Sequence, residues 1–338
     1  MIYPVNKESL ALAAEAIRGG DIAAFPTETV YGLGGDAFNP LALAKIFQAK
    51  GRPRFDPLIV HIASLETLEA VADLSVLDPE LRAAVTRLTA EFWPGPLTLV
   101  LPKREIIPDL ATSGLATVAL RFPSHPAAQE LIRLSTGAVA APSANRFGCL
   151  SPTRAEHVAE QLGDRVGIIL DGGACTLGLE STVLDMASGR PRILRPGGLP
   201  RERLSALLGP PLISGEAGDP PPRSPIEPDS PGELRSPGEL RSPGEFRSPG
   251  ELRSPGLLTS HYAPRTPLSL HSPQEMAALP GRPDAAYLFF NRRSCESWVR
   301  GKSSGGGALE VLSEAGDLSE AAANLFDALH RLDKLGLR

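Results

Sequence analysis

Residues 26–34 read PTETVYGLG and follow directly on the short apolar run 22–25. The apolar run predicts a buried strand, and the motif places two hydroxyls, a carboxylate and closely spaced glycines at its end. The cations Lys50 and Arg52 follow, and a second polar loop, SAN at 143–145, ends another apolar run. Strand-end loops that combine small polar groups with Lys and Arg are typical of a site for a phosphorylated, polar ligand.

Apolar periodicity predicts one α/β domain over residues 1–208, a strand-rich sheet with intervening helices. The predicted strands cover 22–25, 58–62, 97–101, 117–121, 138–141, 168–170, 182–185 and 192–194. The predicted helices cover 9–18, 40–49, 65–72, 79–91, 127–135 and 154–162.

Residues 209–261 have a different composition. Pro and Gly dominate the segment, and a hexapeptide of the form RSPGEL recurs between 229 and 256. Each repeat carries one large apolar side chain, which is too little to bury a core, so a mobile linker with turns at the Pro-Gly pairs is expected. A solenoid with a six-residue period is the alternative, although frequent Pro weakens it.

Residues 262–338 predict a small second domain. Its pattern indicates a strand at 285–290 and an amphipathic helix at 318–335. The glycine-rich segment 303–307 lacks G-x-G-x-x-G spacing, so it does not indicate a dinucleotide site.

Bulk composition excludes several classes of protein. A length of 338 residues favours two domains, and a net charge of −5 gives no global basic field for nucleic acid. Three cysteines without a C-x-x-C pair argue against a zinc site and a disulfide framework, and fit a reducing compartment. With no apolar run near about 20 residues and no signal-peptide core, a soluble, cytoplasmic protein without membrane contact is expected.

Each candidate site residue also has an ordinary structural interpretation. Lys50 and Arg52 suit a solvated helix end, where cations are favourable, as well as a grip on phosphate oxygens. His61, inside an apolar strand, is more often a satisfied core group than a ligand. Arg121 and Arg195 end strands, where a guanidinium can reach solvent or bind a carboxylate or phosphate.

Taken together, the motifs resemble the threonylcarbamoyl-AMP synthase family, which is built on the YrdC-like domain. Over residues 8–208 they occur in family order: PTETVYGLG, KGR, PLIVHI, WPGPLTLVL, TVALRFPSHP, PSAN, LEST and LRPGG. HYAP at 261–264 resembles the segment that precedes the C-terminal domain of two-domain members. The resemblance implies an α/β fold: a YrdC-like twisted mixed sheet flanked by helices, plus a small Rossmann-like α/β C-terminal domain.

The resemblance also implies an activity. Family members are nucleotidyltransferases that condense L-threonine, bicarbonate and ATP into threonylcarbamoyl-AMP and pyrophosphate. A tRNA threonylcarbamoyl transferase complex then uses the product to modify tRNA. Mg²⁺ would accompany ATP, and no protein metal site is implied.

Site residues follow from the same resemblance, with Lys50 and Arg52 as the catalytic pair. L-threonine would be bound by Thr27, Thr29, His61, Arg121 and Ser181. ATP would be bound by Lys50, Arg52, Asp56, Thr117, Ala141, Ser143, Asn145, Ser151, Arg195 and Tyr262.

Two positions depart from the family pattern. Members commonly carry Asn where this chain has Asp56, and an acidic group would repel the triphosphate unless it helps to hold Mg²⁺. Tyr262 is expected to cover the nucleotide together with the linker. The commonly aromatic position two before the linker histidine is Thr259 here.

Three other functions compete with this interpretation. An RNA-binding module of the same fold is disfavoured by net acidity and by only 5% aromatic residues, although a weak RNA contact stays open. A carbamoyl transferase for metallo-enzyme maturation would carry zinc-finger cysteines and an acylphosphatase segment, which are missing. A scaffold built on the repeats would leave Lys50, Arg52 and the loop at Ser143 unexplained.

Overall fold

The computed structural model describes residues 1–209, 213–214, 263–302 and 307–337. Most of the predicted linker, including its repeats, and the candidates Thr259 and Tyr262 lie outside these residues. The N-terminal part contains eight α-helices within the described ranges: α1 Lys7–Arg18, α2 Pro40–Lys50, α3 Leu65–Val71, α4 Pro79–Phe92, α5 Asp109–Thr112, α6 Pro126–Leu134, α7 Ala155–Leu162 and α8 Arg201–Leu208.

One mixed sheet organises this part of the chain. In chain order its strands are β1 Ile2–Pro4, β2 Ala23–Phe25, β3 Gly32–Asp36, β4 Ile59–Ile62, β5 Leu97–Pro102, β6 Thr117–Arg121, β7 Ala138–Ala140, β8 Ile168–Asp171, β9 Thr182–Asp185, β10 Arg192–Arg195 and β11 Ile213–Ser214. Their order across the sheet is β1-β8-β2-β3-β7-β4-β6-β5-β9-β10-β11. The mixed α/β fold predicted from the sequence is confirmed, and the sheet continues beyond residue 208.

The middle of the sheet brings distant segments side by side. β4 runs parallel to β6 and antiparallel to β7, so His61 lies opposite both Arg121 and Val139. β5 is antiparallel to β6 and parallel to β9, which pairs Thr98 with Arg121 and with Val183. Strand ends from four regions of the sequence therefore meet in one place.

Local sequence signals fix the helix α2, which leads to Lys50 and Arg52. α2 begins after Asn39, whose side chain accepts a hydrogen bond from the Leu41 N–H, and Pro40 occupies its first position. The helix ends at Gly51, so Lys50 occupies its last turn and Arg52 follows immediately. Both side chains are directed to the same region of the molecule by this one helix end.

The apolar core lies mainly against the two faces of the sheet. A smaller apolar cluster, comprising Ile59, Val100, Ala119 and Val183 with Leu194 packed against it, is formed by strand residues alone. Because side chains two apart on a strand share a face, Ile59 lies on the face of His61, and Ala119 on that of Arg121. This cluster thus forms an apolar floor beside those two polar groups.

The glycine-rich end of the opening motif forms a strand, β3, where the sequence indicated a loop. An added Cβ at Gly34 would lie 2.6 Å from ring carbon Cε1 of Phe25 and 2.6 Å from Cγ1 of Val139. The missing side chain at Gly34 therefore makes room for core packing and not for a ligand. Gly32, by contrast, does line the cleft described below.

Gly34→Ala is therefore expected to lower the free energy of unfolding by about 1–3 kcal/mol, the usual cost of overpacking a core. Gly167→Ala is the matched control, because nothing lies within 4 Å of its added Cβ, and it should be neutral or slightly stabilising. Urea unfolding of both variants measures the difference. Equal midpoints would contradict the packing role of Gly34.

The C-terminal part forms a small α/β unit. Its elements are α9 Pro273–Ala278, β12 Ala286–Asn291, α10 Arg292–Arg300, β13 Ala308–Ser313 and α11 Leu318–Asp333. β12 and β13 are parallel and are joined through α10, which is a β-α-β unit. Tyr287, Phe289, Cys295 and Trp298 form its own core. No helix among the described ranges is long and apolar enough to cross a membrane.

Candidate active site

A cleft opens where the ends of β4, β6 and β7 meet the loop after β2 and the loop before β9. Ile59, a member of the apolar floor, also lines this cleft. Seven of the residues predicted for threonine or ATP line this cleft: Thr27, Arg52, His61, Arg121, Ala141, Ser143 and Arg195. The structure thus brings together groups that lie far apart in the sequence.

Arg121 is held rigidly at the cleft wall. Its Nη2 lies 2.8 Å from Oε1 of Glu28, its Nη1 donates to the Thr29 hydroxyl at 2.8 Å, and its Nε donates to the Gly95 carbonyl at 3.2 Å. Burial raises the pKa of Glu28, but the charge and hydrogen bond of Arg121 outweigh it, and the net pKa is lowered. Glu28 and Arg121 therefore form a buried, fully ionised pair.

The two threonines of the opening motif have different positions. The Thr27 hydroxyl donates to the Val30 carbonyl at 2.6 Å, lies 2.8 Å from the Thr29 hydroxyl and faces the cleft. Thr29 is fully buried and accepts from Arg121. Thr29 thus orients the guanidinium, while the Thr27 hydroxyl is engaged by the backbone of its own loop.

His61 is a neutral group at the cleft. Burial lowers its pKa to about 3, and the positive charge of Arg121 adds to this effect. Its ring packs edge-on against Phe25, with centroids 6.2 Å apart, and its Nδ1 has no hydrogen-bond partner in the described part of the chain. The backbone of Ile59 and Val139 raises the pKa of the ring against the effect of burial, and the ring also lines the cleft, so His61 belongs to the core and borders the candidate site.

Lys50 is buried behind the loop that contains Ser143. Its Nζ donates to the carbonyl of Ser143, to the carbonyl of Asn145 at 2.7 Å and to Oδ1 of Asn145 at 3.1 Å. Burial lowers the pKa of Lys50 well below its usual value, and repulsion from Arg52 adds to this, while Glu180 and Asp56 oppose it. Nζ of Lys50 thus holds this loop from behind.

Arg52 and Asp56 form a second buried pair. Arg52 Nη2 lies 2.8 Å from Oδ2 of Asp56, and the two side chains are only 2% and 1% exposed. The guanidinium also donates to the carbonyls of Asp56 at 3.1 Å and Pro57 at 2.9 Å. Burial raises the pKa of Asp56, and the neighbouring cations Arg52, Lys50 and Arg195 oppose that rise.

If ATP binds here, as the family resemblance implies, Asp56→Asn is expected to lower the KM for ATP by about three- to tenfold, an effect on the scale of one hydrogen bond. The amide oxygen still accepts from Arg52, while the negative charge that competes with a triphosphate is gone. Asp21→Asn, which alters an exposed pair with Lys45, should leave this KM unchanged. Steady-state kinetics in ATP measures both, and a higher KM in Asp56→Asn would instead place Asp56 among the groups that hold the nucleotide or its Mg²⁺.

Arg195 reaches the cleft from β10 and is positioned by Ser181. Its Nη2 donates to the Ser181 carbonyl at 2.8 Å and to the Ser181 hydroxyl at 3.0 Å. That hydroxyl also lies 2.8 Å from the hydroxyl of Thr98. Ser181, predicted to bind threonine, thus orients Arg195 in the structure.

The remaining predicted residues lie at different distances from the cleft. Asn145 and Ser151 are buried next to it, through Lys50 and through Glu180 respectively. Thr117 begins β6 opposite Pro102, at the far end of the strand from Arg121, and is not among the cleft-lining residues. Tyr262 lies outside the described residues.

Two carboxylates, Glu28 and Glu180, were not among the predicted site residues, although the first was noted in the opening motif. Glu180 lines the cleft, accepts from the Ser151 hydroxyl at 2.7 Å and lies 3.8 Å from Arg195 Nη2. Each sits inside a recognised motif, PTETVYG or LEST, where a charge among residues that pack inward is itself a signal of a buried pair. Among the described residues, Lys50, Arg52, Arg121 and Arg195 outnumber the carboxylates Glu28, Asp56 and Glu180 around this cleft, and this excess of cationic groups favours an anionic ligand.

Comparison with known proteins identifies relatives for both parts of the chain. The family model Sua5_yciO_yrdC, described as telomere recombination, matches residues 15–197. A second model, described as threonylcarbamoyl-AMP synthase, C-terminal domain, matches residues 215–338. The second match includes most of the segment 209–261 that the sequence predicts as a linker.

Individual relatives include the threonylcarbamoyl-AMP synthases of Pyrococcus abyssi, 50% identical over 205 residues, and of Bacillus subtilis, 50% identical over 206 residues. Each alignment covers 61% of this chain and 58% of the relative's length. Among solved structures, P. abyssi Sua5 complexed with L-threonine matches 100% of this chain and 90% of its own, with a TM-score of 0.75 and 35% identity. E. coli YciO shares the fold over 58% of this chain and 95% of its own, with a TM-score of 0.51 and 21% identity.

Proposed function

The chain belongs to the Sua5/YciO/YrdC family, and we propose from this that it condenses L-threonine, bicarbonate and ATP into threonylcarbamoyl-AMP and pyrophosphate. The observation that carries the proposal is the convergence of Arg52, Arg121 and Arg195 on one cleft, with Lys50 directly behind its Ser143 loop. The likeness to a Sua5 structure that holds L-threonine supports the choice of amino acid.

Threonine would be bound at the Arg121 end of the cleft. Its carboxylate pairs with the guanidinium, which Glu28, Thr29 and Gly95 already hold in one orientation. The neutral His61 supplies an uncharged partner for its polar groups, and Thr27 lines the cleft. Because the positioning groups are fixed before the ligand arrives, little ordering cost remains to be met on binding.

ATP would occupy the side of the cleft formed by Arg52, Arg195 and the Ser143 loop. The threonine amine and bicarbonate give a carbamate and water, and a carbamate oxygen then attacks the α-phosphorus as pyrophosphate leaves. Carboxylate, carbamate and triphosphate repel one another, so the arginines and Lys50 act by neutralising charge and fixing an in-line geometry. Such positioning and electrostatic effects can lower a barrier by several kcal/mol.

Mg²⁺ would enter with ATP and help neutralise its phosphates. The described residues contain no cluster of three or more metal-ligating side chains. Glu180 is a carboxylate that faces the cleft, and one carboxylate with phosphates and water suits Mg²⁺. The site thus fits a metal that arrives with the nucleotide.

The fate of the intermediates extends the proposal. A carbamate decomposes in water, so the site requires a cover during turnover, and Tyr262 with the linker is proposed to supply it. The product would pass to a tRNA threonylcarbamoyl transferase complex. The rival RNA-binding function has less support, because Lys50, Arg52, Arg121 and Arg195 are buried in internal contacts and do not form an exposed basic patch.

The full-length protein tests the proposal directly. Pyrophosphate release is followed with ATP, Mg²⁺ and bicarbonate, in the presence of L-threonine, L-serine or no amino acid. Release that depends on threonine and on bicarbonate is expected. Release that is no greater with threonine than with serine or with no amino acid would overturn the proposed function.

A further inference from the structure

The last helix of the C-terminal domain, α11, packs directly on the loops that build one wall of the cleft. Phe326 and Leu329 form an apolar cluster with Val30 and Leu150, and Val30 itself lines the cleft. The loop before β9 also touches the helix, since an added Cβ at Gly178 would lie 2.3 Å from the Ala323 carbonyl oxygen. The wall of the candidate site is therefore in contact with a helix from another domain.

A polar contact at the centre of this interface reaches one of the predicted ATP residues. Nε2 of His330, on α11, lies 3.0 Å from the carbonyl oxygen of Ser151. A carbonyl only accepts, so Nε2 carries the proton. Burial lowers the pKa of His330, opposed by its bond to Ser151, and a neutral ring with Nε2–H is sufficient to make the contact.

A second histidine fixes the His330 ring. His157 stacks on it with centroids 3.8 Å apart. Burial lowers the pKa of His157 to about 3, and repulsion from His330 adds to this, so the stacked rings are not both charged. Nδ1 of His157 accepts from the Thr153 N–H at 3.3 Å, which leaves its Nε2–H facing Asp327, 3.5 Å away. Asp327 also pairs with Arg154 at 3.0 Å.

Ser151 connects this interface to the cleft. Its backbone carbonyl accepts from His330, and its hydroxyl donates to Oε1 of Glu180 at 2.7 Å. Glu180 lines the cleft beside Arg195. A continuous series of contacts therefore connects His330 on α11, through Ser151, to Glu180, whose carboxylate lines the cleft.

We propose that His330 is a positioning residue for the nucleotide side of the site: by holding the Ser151 backbone it sets the direction of the Ser151 hydroxyl and the Glu180 carboxylate. This inference rests on the proposed function and assigns part of the site to the C-terminal domain. It predicts that nucleotide handling depends on one hydrogen bond from α11.

The test compares substitutions at His330 in the full chain. The amide nitrogen of Gln lies where Nε2 of His lies, whereas that of Asn reaches only as far as Nδ1, so His330→Gln keeps the donor and His330→Asn withdraws it at similar polarity. His330→Asn is expected to raise the Kd for a non-hydrolysable ATP analogue about five- to tenfold. His330→Gln should stay within about twofold of wild type. His271→Asn, at an exposed position of the same domain, is the matched control and should change nothing.

Calorimetry of nucleotide binding, thermal unfolding and threonine-dependent turnover are measured on all four proteins. The inference is supported if His330→Asn raises the Kd and the KM for ATP, if His330→Gln leaves both near the wild-type values, and if the melting temperatures are similar. Equal nucleotide affinity in Asn, Gln and wild type would overturn it, as would equal impairment of Asn and Gln. A wild type that binds nucleotide but releases no threonine-dependent pyrophosphate would contradict the proposed function alone, since the binding comparison still decides the role of His330.

Discussion

Arg121→Gln is expected to lower kcat/KM for L-threonine by about 100-fold, which corresponds to the loss of one or two charge-assisted hydrogen bonds. The guanidinium is the cation that Glu28, Thr29 and Gly95 aim into the cleft, and Gln offers neither its charge nor its two parallel donors. The KM for threonine should rise more than the KM for ATP. Initial rates of pyrophosphate release at varied threonine and varied ATP separate the two.

The same substitution leaves Glu28 buried without its partner. Removing one member of a buried ion pair costs about 3–5 kcal/mol of stability, so lost activity alone would not distinguish binding from unfolding. The double variant Glu28→Gln/Arg121→Gln removes both charges and is expected to recover much of that stability while remaining inactive. Recovery of activity together with stability would contradict the role of Arg121 in holding the threonine carboxylate.

The pH dependence of stability provides an independent check on this pair. Glu28 has a lowered pKa in the folded protein, so its contribution to stability is present above its ordinary pKa of 4.5 and is lost as pH falls through the lowered value. In Arg121→Gln, burial is opposed only by backbone hydrogen bonds at Glu28 and Ser124, so the pKa of Glu28 is higher than in wild type and the penalty of burying its charge is relieved as pH falls. Urea unfolding should therefore show a difference between the two proteins that is largest near neutral pH and smaller below pH 4.5.

Residue patterns predicted the regular elements of this fold well where side chains carry periodicity. The strands 117–121 and 182–185 were predicted with the bounds that the structure shows. β3 was missed because Gly32, Gly34 and Gly35 carry no side chain that alternates between faces. β13 and α10 were also missed. β13 mixes exposed and half-buried positions, and α10 has only two buried residues, Cys295 and Trp298, among exposed ones.

The site was predictable as a set of residues and not as a set of contacts. Cations and hydroxyls at strand ends are visible in the sequence, but which of them meet depends on sheet register over long separations. Lys50 reaches Asn145, 95 residues away, and Arg121 reaches Thr29, 92 residues away. The contact of His330 on α11 with Ser151 depends on three-dimensional packing in the same way, whereas Arg52 and Asp56 pair locally, at i and i+4.

Lys50→Met is expected to raise the Kd for ATP by about 100-fold, because it removes a cation from the nucleotide side and also leaves the carbonyls of Ser143 and Asn145 without their donor. Each lost charge-assisted hydrogen bond is worth about 1.5–3 kcal/mol. Lys45→Met, which changes an exposed lysine of the same helix, should have no effect on ATP. Calorimetric titration with a non-hydrolysable analogue measures both, and unchanged affinity in Lys50→Met would remove Lys50 from the proposed mechanism.

The lowered pKa of Lys50 predicts that the affinity for ATP depends on pH. Burial and Arg52 favour the neutral amine in the free protein, whereas a bound triphosphate favours the ammonium. Below the lowered pKa the amine is charged in both states, so affinity does not depend on it. Above that value binding must take up a proton, and affinity falls as pH rises, well before the ordinary pKa of 10.5.

Titrations in buffers of different ionisation enthalpy, at pH values where ATP is fully ionised, should show this proton uptake in wild type. Lys50→Arg, whose guanidinium stays charged, should show none, and a flat wild-type profile would contradict the buried-ammonium mechanism.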